Sequence, residues 1–216
     1  IHLNKIEVQD TYSDLILYDV EANVVHPLEC DSNELDCFPA WSPDGRWLYY
    51  CSAHYEQQDT SIVRDEDIIR NFRTMRYNLY RRPFDLATLS FGERQLVYDA
   101  MSDSLSATEP KISPDGRWLM FTRGSYGFFH IWHGDADLCL IDLNDSTFTP
   151  RVAVELNSDN VEAWHSWSHD GRWVVFSSRR EDGNYTRPFF AHHDGNGHFT
   201  KPFCLPQDDP EYYRIS

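Results

Sequence analysis

The sequence predicts an all-β fold built from repeated four-stranded antiparallel sheets. Aromatic residues make up 15% of the 216 residues, and aromatic side chains favour strands over helices. One phrase occurs three times, as WSPDGRWLYY, ISPDGRWLMF and WSHDGRWVVF. Between these copies lie segments of a second kind, such as DLILYDVEANVVHPL, in which a strand enters a polar turn and another strand returns. Two hairpins per repeat make one four-stranded sheet.

Each copy of the phrase predicts a tight turn followed by a buried strand. In the Ser-Pro-Asp-Gly of residues 42–45, Pro presets φ and Gly accepts a positive φ at the exit. The strand after each Gly is apolar on both faces, as expected where a sheet packs between two others. We interpret the aspartates of the three turns as turn formers rather than catalytic acids: Asp44, Asp115 and Asp170. We expect the tryptophans that begin the strands to be buried: Trp47, Trp118 and Trp173.

The spacing of the copies predicts a β-propeller. The Asp-Gly pairs recur after 71 and then 55 residues, whereas a propeller blade takes about 40–45 residues, so the units carry insertions. The whole chain, 1–216, is predicted to hold about three and a half blades. These are a leading half blade at 1–30 and blades at 37–100, 109–157 and 163–206. Because closed propellers have at least about four blades, we expect missing blades or a partner chain to complete the ring.

The repeated phrase also carries a family resemblance. W-S-P-D-G-R-W, taken with a strand of the DLILYDV type, resembles the WD-repeat-like propeller repeats of the TolB type. The stretches RYNLYRRPFD, GFFHIWHGDADLCLIDL and WHSWSHDGRWVVF resemble a group of uncharacterised propeller proteins from Bacteroidetes-type bacteria. The resemblance covers roughly residues 14–210. It implies the fold and says almost nothing about function.

Charge and hydropathy narrow the classes of partner. The chain has 35 acidic and 19 basic residues, a net charge of −16, which argues against a nucleic-acid partner. No apolar run approaches the ~20 residues of a membrane-spanning helix. The partners that remain are a protein, a peptide or a glycan, and we expect a periplasmic or other extracytoplasmic location in a bacterium.

The five cysteines show no C-x-x-C spacing, which disfavours zinc ribbons and thioredoxin-type redox sites. Cys30 and Cys37 flank the polar segment DSNELD and can pair in an oxidising compartment. The other cysteines lie in apolar runs and are expected to be small buried hydrophobes: Cys51, Cys139 and Cys204.

Two insertions interrupt the repeat, at 53–75 and 123–137, and function is expected in such loops. In the first, VRDEDIIRNFRTM predicts a short helix, which either covers a blade edge or acts as a binding lid. The second is rich in aromatic residues and histidines. We select four candidate binding residues in and near it: His130, Trp132, His133 and His165.

Three interpretations of this second insertion stay open. His130 and His133 stand three residues apart and can meet one divalent metal ion, with His165 as third ligand if the loops converge. The aromatic residues can instead pack over the mouth of the propeller. The loop can also contact a ligand without any metal. Apart from such a metal, no cofactor is expected.

Arg179 and Arg180 are the remaining candidate binding residues. They stand where a strand runs into a loop, and paired arginines there can bind a carboxylate or phosphate bidentately. The alternative is a salt bridge to Glu181, Asp182 or another acid of this acidic chain.

The sequence contains no nucleophile elbow, Walker loop, Rossmann glycines or H-E-x-x-H motif. The first hypothesis is therefore a non-catalytic propeller scaffold or binding module. The second is a polysaccharide lyase or hydrolase that works in the propeller channel, as in oligogalacturonate lyases, which it resembles in using related repeats. The third is the propeller part of a prolyl-oligopeptidase-like peptidase, which would need an α/β-hydrolase domain.

Overall fold

Four antiparallel sheets follow one another along the chain in the computed structural model, which describes residues 10–28, 31–209 and 212. The first is a leading hairpin of two strands: β1 (Ile16–Asp19) and β2 (Val24–Pro27). Three larger sheets come next, and here they are named blades A, B and C. The fold is an all-β propeller of about three and a half blades, as the repeat predicts.

Each blade places its strands side by side in chain order. Blade A contains β3 (Glu34–Trp41), β4 (Trp47–His54), β5 (Asn78–Asp85) and an outer strand broken into β6 (Ser90–Phe91) and β7 (Gln95–Tyr98). Blade B contains β8 (Ser106–Ile112), β9 (Trp118–Gly124), β10 (Asp137–Asp142) and β11 (Arg151–Val152). Blade C contains β12 (Glu162–Trp167), β13 (Trp173–Ser178), β14 (Arg187–His192) and β15 (Phe203–Cys204). The innermost strand of blade B packs against the innermost strands of blades A and C.

The repeated turn is held by the side chains that its sequence specifies. The Ser42 hydroxyl donates to the Asp44 carboxylate at 2.6 Å, and the Trp47 backbone N–H donates to the Ser42 hydroxyl at 3.0 Å. The hydrogen bond from Ser42 also holds the pKa of Asp44 below its ordinary value. The same bonds recur in the other two copies. The prediction that these aspartates are turn formers is therefore confirmed, for Asp115 and Asp170 as well.

The two largest apolar layers of the core lie between blades A and B and between blades B and C. A smaller cluster packs the leading hairpin region on blade A, and another lies beside the second insertion. Strand β9 contributes to both of the largest layers. Leu119 and Phe121 enter the first layer, and Trp118 and Met120 enter the second. This alternation follows from the two-residue period of a strand. A strand that is apolar on both faces is thus confirmed for the second copy of the phrase.

Burial of the repeated tryptophan depends on a following blade. Trp118 of blade B is 5% exposed, and its indole N–H donates to the Gly195 carbonyl of blade C at 3.3 Å. Gly197 has a φ of +87°, and a Cβ there would lie 2.7 Å from the Trp118 ring. The close approach of this loop to the indole therefore requires glycine.

The other two tryptophans are less buried than the sequence predicts. Trp47 of blade A is half-buried beneath the Arg81 guanidinium, which also stacks on Phe148 of blade B. Trp173 of blade C is 40% exposed, so the expectation of burial is wrong for this copy. The reason is that, within residues 10–28, 31–209 and 212, no further blade packs on this face of blade C.

The insertion at 53–75 forms the predicted helix, α1 (Arg64–Asn71), followed by one turn of 3₁₀ helix, Phe72–Thr74. Ile68 is fully buried in the apolar layer between blades A and B. The Asp67 carboxylate accepts hydrogen bonds from the Tyr55 hydroxyl at 2.6 Å and the Gln58 backbone N–H at 2.7 Å. The burial of Ile68 and the hydrogen bonds of Asp67 hold the helix against blade A, which favours a helix that covers the blade edge over a binding lid.

The structure also bears on the cysteines and on membrane spans. Cys51 and Cys139 are fully buried as predicted, whereas Cys204 is partly exposed. The predicted pair of Cys30 with Cys37 cannot be placed, because Cys30 lies outside the described residues. Within the part of the chain that the structure describes, no helix is long and apolar enough to cross a membrane.

The contrast between two equivalent tryptophans yields a stability prediction. Trp118→Ala removes a buried indole and should lower the free energy of unfolding by about 3–5 kcal/mol. Trp173→Ala removes a partly exposed indole and should cost less than about 1 kcal/mol. Guanidinium denaturation of both variants measures the difference. Equal losses in the two variants would contradict the assignment of Trp173 to an uncovered face.

Candidate functional site

The innermost strand of each blade carries a β-bulge at the equivalent position, which lies between the start of that strand and the repeated turn. Three residues in left-handed backbone conformation mark it: Phe38 (φ 53°), Glu109 (φ 58°) and Trp164 (φ 53°). Each stands six residues before the turn aspartate. This conformation costs a non-glycine residue about 1–3 kcal/mol, and a bulge re-aims the side chain that it carries.

These three residues meet where the inner strands converge, and they are here called the axial cluster. The rings of Phe38 and Trp164 contact each other edge to face with centroids 5.8 Å apart, although they belong to blades A and C. A Glu109 carboxylate oxygen, Oε2, accepts the Trp164 backbone N–H at 2.8 Å and the Thr122 hydroxyl at 2.8 Å. The cluster thus ties all three blades together.

Glu109 is an unusual carboxyl group. It is 2% exposed, and burial raises its pKa to about 7 against the opposing hydrogen bonds from Trp164 and Thr122. Its second oxygen, Oε1, has no hydrogen-bond partner in the described structure. Buried carboxyls that titrate near neutral pH occur at functional sites and in structural networks. The sequence analysis missed Glu109, and the available signal was its alignment with two aromatic residues.

The aromatic loop at 123–137 lies beside this cluster. Phe128 is buried against Phe38, with ring centroids 6.2 Å apart, and Phe129 contacts Trp164 at 6.2 Å. A short 3₁₀ helix, His130–Trp132, follows, and it leaves Trp132 41% exposed. Aromatic packing over the mouth of the propeller therefore describes most of this loop.

Arg179 lies over the exposed face of Trp132. Its guanidinium carbon is 4.2 Å from the ring centroid, a cation–π distance. The neighbouring acids pair instead with Arg187, at 2.8 Å for both Glu181 and Asp182. Within the described residues, no carboxylate lies within 4.0 Å of the Arg179 side-chain nitrogens. Among the acids that the structure describes, none forms the alternative salt bridge with this arginine.

Arg180 points into the protein. Its guanidinium donates to the Glu162 carboxylate at 2.9 Å and stacks on the Phe189 ring at 4.6 Å. Glu162 is fully buried and also accepts the Ser178 hydroxyl at 2.7 Å. Removal of one partner of such a buried pair is strongly destabilising. Arg180 thus forms a salt bridge with an acid of its own chain, Glu162, as in the alternative interpretation of the two arginines.

The histidines are part of the core. His130 is fully buried and shares a 3.0 Å hydrogen bond with the Thr108 hydroxyl, and burial lowers its pKa to about 3. His165 donates from Nε2 to the Met120 carbonyl at 3.0 Å, and burial lowers its pKa to about 4. The rings of His130 and His133 lie 5.5 Å apart. No three His, Cys, Asp or Glu side chains of the described residues form a group that could hold a metal ion.

Solved β-propeller structures share this architecture, among them the three that follow. The chain is similar to an oligogalacturonate lyase in complex with manganese, with 14% identity, 90% of this chain and 49% of that chain covered, and a TM-score of 0.58. It is also similar to the oligogalacturonate lyase of Vibrio parahaemolyticus, with 13% identity, 91% of this chain and 49% of that chain covered, and a TM-score of 0.57. A third similar structure is a puromycin-hydrolysing peptidase of Mycobacterium tuberculosis, with 12% identity, 90% of this chain and 27% of that chain covered, and a TM-score of 0.55. No family model and no curated protein matches the chain.

These comparisons concern the fold. The chain spans about half the length of the two lyases and about a quarter of the peptidase. At such low sequence identities, shared architecture does not carry shared chemistry. The likeness therefore establishes the propeller fold alone.

The pKa of Glu109 predicts a pH dependence. A carboxyl whose pKa is raised in the folded protein binds its proton more tightly there, so its contribution to stability is lost as pH rises. The window runs from the ordinary value of 4.5 to about 7. As pH rises through this window, the free energy of unfolding of Glu109→Gln should therefore increase by roughly 3 kcal/mol relative to that of the wild type.

Urea denaturation at a series of pH values measures this difference. The exposed Glu93 offers a matched control, since Glu93→Gln also removes one negative charge. A stability difference between Glu109→Gln and the wild type that stays constant from acidic to neutral pH would show that the pKa of Glu109 is not raised in the folded protein.

Proposed function

We propose that this chain is a non-catalytic β-propeller binding module of the bacterial cell envelope, with a protein, peptide or glycan as its partner. The observation that carries the proposal is the Arg179 guanidinium, which lies on the exposed Trp132 ring without a carboxylate partner within the described residues. Its Nε donates to the Thr186 hydroxyl at 3.2 Å, and its charge is not paired with any described acid. In a chain with a net charge of −16, such a cation is available to an acidic ligand.

The contact between Arg179 and Trp132 defines the binding patch. Trp132 lies on the short helix that follows Phe129, and Phe129 contacts Trp164 of the axial cluster. Tryptophan and arginine dominate the binding energy of protein interfaces, and arginine recognises carboxylates through two parallel hydrogen bonds. An indole face offers an apolar platform for an aliphatic segment or a sugar ring. The patch therefore fits a ligand that carries a carboxylate next to an apolar face, such as an acidic peptide or a uronate-containing glycan.

The propeller is proposed to be completed by a further blade. In blade B the repeated tryptophan is covered by residues of the next blade, and in blade A it lies beneath Arg81, which itself stacks on Phe148 of the next blade. On blade C, the equivalent Trp173 is exposed together with Phe203, and the two rings contact each other edge to face. A blade that packs here would bury both. That blade comes either from a longer chain or from a partner.

The cell-envelope location and the TolB-type character are also part of this proposal. They rest on the resemblance of the W-S-P-D-G-R-W phrase and on the acidic surface that keeps the chain away from nucleic acid. Fractionation of cells that express the intact gene tests the location, and recovery of the protein in the cytoplasmic fraction would refute it.

The enzymatic alternatives have less support. A lyase or hydrolase of the channel and the propeller part of a peptidase both follow from the fold likeness alone. The histidines proposed as metal ligands are buried, and His130 and His165 are hydrogen-bonded to Thr108 and Met120. Elemental analysis of the purified protein tests the metal-dependent version, and a stoichiometric divalent metal would revive it.

The binding patch predicts a specific loss of affinity. Binding of a glutamate-rich peptide and of an oligouronate is measured by calorimetry, each against its uncharged counterpart, an amidated peptide or a methyl ester. Arg179→Gln should weaken binding of the carboxylate probe about tenfold or more, because the charged hydrogen bonds are lost. Trp132→Ala should weaken binding of the charged and the uncharged forms alike.

Arg172→Gln provides the control, since Arg172 is an exposed arginine of the turn in the same blade. It should leave both affinities unchanged. Binding that is equal in the wild type and in Arg179→Gln, or absent for both classes of probe, would refute the proposed patch.

A further inference from the structure

Two cysteine side chains face each other across the inner hairpin of blade A. Cys37 on β3 and Cys51 on β4 are directly opposite residues in the antiparallel register. Their sulfur atoms lie 3.4 Å apart, and the Cys51 thiol also points at the Cys37 carbonyl oxygen at 3.3 Å. Both are free thiols in the structure.

This arrangement is close to the geometry of a disulfide. Opposite residues of an antiparallel pair have Cα atoms about 4.5–5.5 Å apart, which lies within the range of about 4.4–6.8 Å that disulfides occupy. The sulfur atoms would have to approach by roughly 1.4 Å to reach bonding distance. Rotation of the two side chains can supply that movement, so the strands need not separate.

The two cysteines differ in their access to solvent. Cys37 is partly exposed, whereas Cys51 is completely buried. The Cys37 thiol itself is buried, but its residue is the one of the pair that reaches the surface. A reagent from solution therefore has the shorter path to Cys37, and Cys51 is positioned to react next. This is the arrangement of an attacking thiol beside a resolving thiol.

We propose that Cys37 and Cys51 form a thiol-modification site, at which a low-molecular-weight disulfide such as oxidised glutathione is reduced and an intramolecular disulfide is formed. The Cys37 thiolate attacks one sulfur of the reagent, and the first glutathione leaves as a thiolate. The Cys51 thiolate then attacks the Cys37 sulfur and displaces the second glutathione. The two protons released by the protein thiols are taken up by the two glutathione thiolates.

The surroundings of the pair set the rate of the reaction. Burial raises the pKa of the Cys37 thiol, and the neighbouring Cys51 raises it further. Because the thiolate is the reacting species, the reaction should be slow at neutral pH and faster in alkaline buffer. Asp36, adjacent in sequence, also disfavours the thiolate.

The location gives this bond a structural consequence. Cys37 immediately precedes Phe38, whose ring contacts Trp164 of blade C within the axial cluster. A bond between β3 and β4 at this point would hold the strand on one side of the bulge in place. It would also close a loop in the unfolded chain, which stabilises the folded state.

The test uses the complete chain and oxidised glutathione at alkaline pH, followed by peptide mapping under non-reducing conditions and a count of free thiols. The expected result is a Cys37–Cys51 cross-link, loss of two of the five thiols, and a higher melting temperature. The identity of the disulfide that forms in the wild type tests the proposal without any variant. A Cys30–Cys37 cross-link, a stable glutathione adduct on Cys37, or retention of all five thiols would each overturn the proposal.

Two variants sharpen the assignment. Cys51→Ser should stop the reaction at the glutathione adduct on Cys37, because the resolving thiol is gone. Cys204→Ser removes the thiol of another partly exposed cysteine, in blade C, and should leave the cross-link intact. A cross-link to Cys37 that persists in Cys51→Ser would identify a different partner and contradict the proposal.

Discussion

Face-to-face packing of successive blades is the interaction on which the rest of this structure depends. Strand β9 shows it directly, since its alternate side chains enter two different apolar layers. A strand of this kind has no solvent face, so its first residues, Trp118 to Phe121, are all apolar. The polar Thr122 that follows is buried and donates to Glu109. The Ser-Asp hydrogen bonds of the repeated turn set where each such strand begins. Where the packing ends, at blade C, Trp173 emerges into solvent.

The sequence was sufficient for the repeated features because each is determined locally. Turn chemistry identified Asp44, Asp115 and Asp170 correctly, and the two-faced apolar strand identified the stacked sheets. The helix in the first insertion, α1, also followed from a local pattern. What the sequence could not supply was the number of neighbours that each blade has. Burial of Trp173 depends on a following blade, and no property of its own blade reveals whether one is present.

The candidate site was harder to predict for a different physical reason. His130 and His165 were selected as ligands by residue type, yet both are buried and one ring nitrogen of each is hydrogen-bonded within the core. Arg179 and Arg180 are adjacent, but successive residues at a strand end face opposite ways, and only Arg180 meets a buried acid. Glu109 was hidden among 35 acidic residues. Its role depends on a left-handed bulge that aligns it with Phe38 and Trp164.

The bulges connect the architecture with the site. Each one places a strained, non-glycine residue on an innermost strand, a cost that packed neighbours must offset. In blades A and C the offset is the contact between Phe38 and Trp164, and in blade B it is the pair of hydrogen bonds to Glu109. Three residues with an unfavourable left-handed backbone therefore lie where three blades meet. A ligand held by Trp132 and Arg179 would lie on the short helix that follows Phe129, whose ring contacts Trp164. Blade packing and binding would therefore be coupled through this loop.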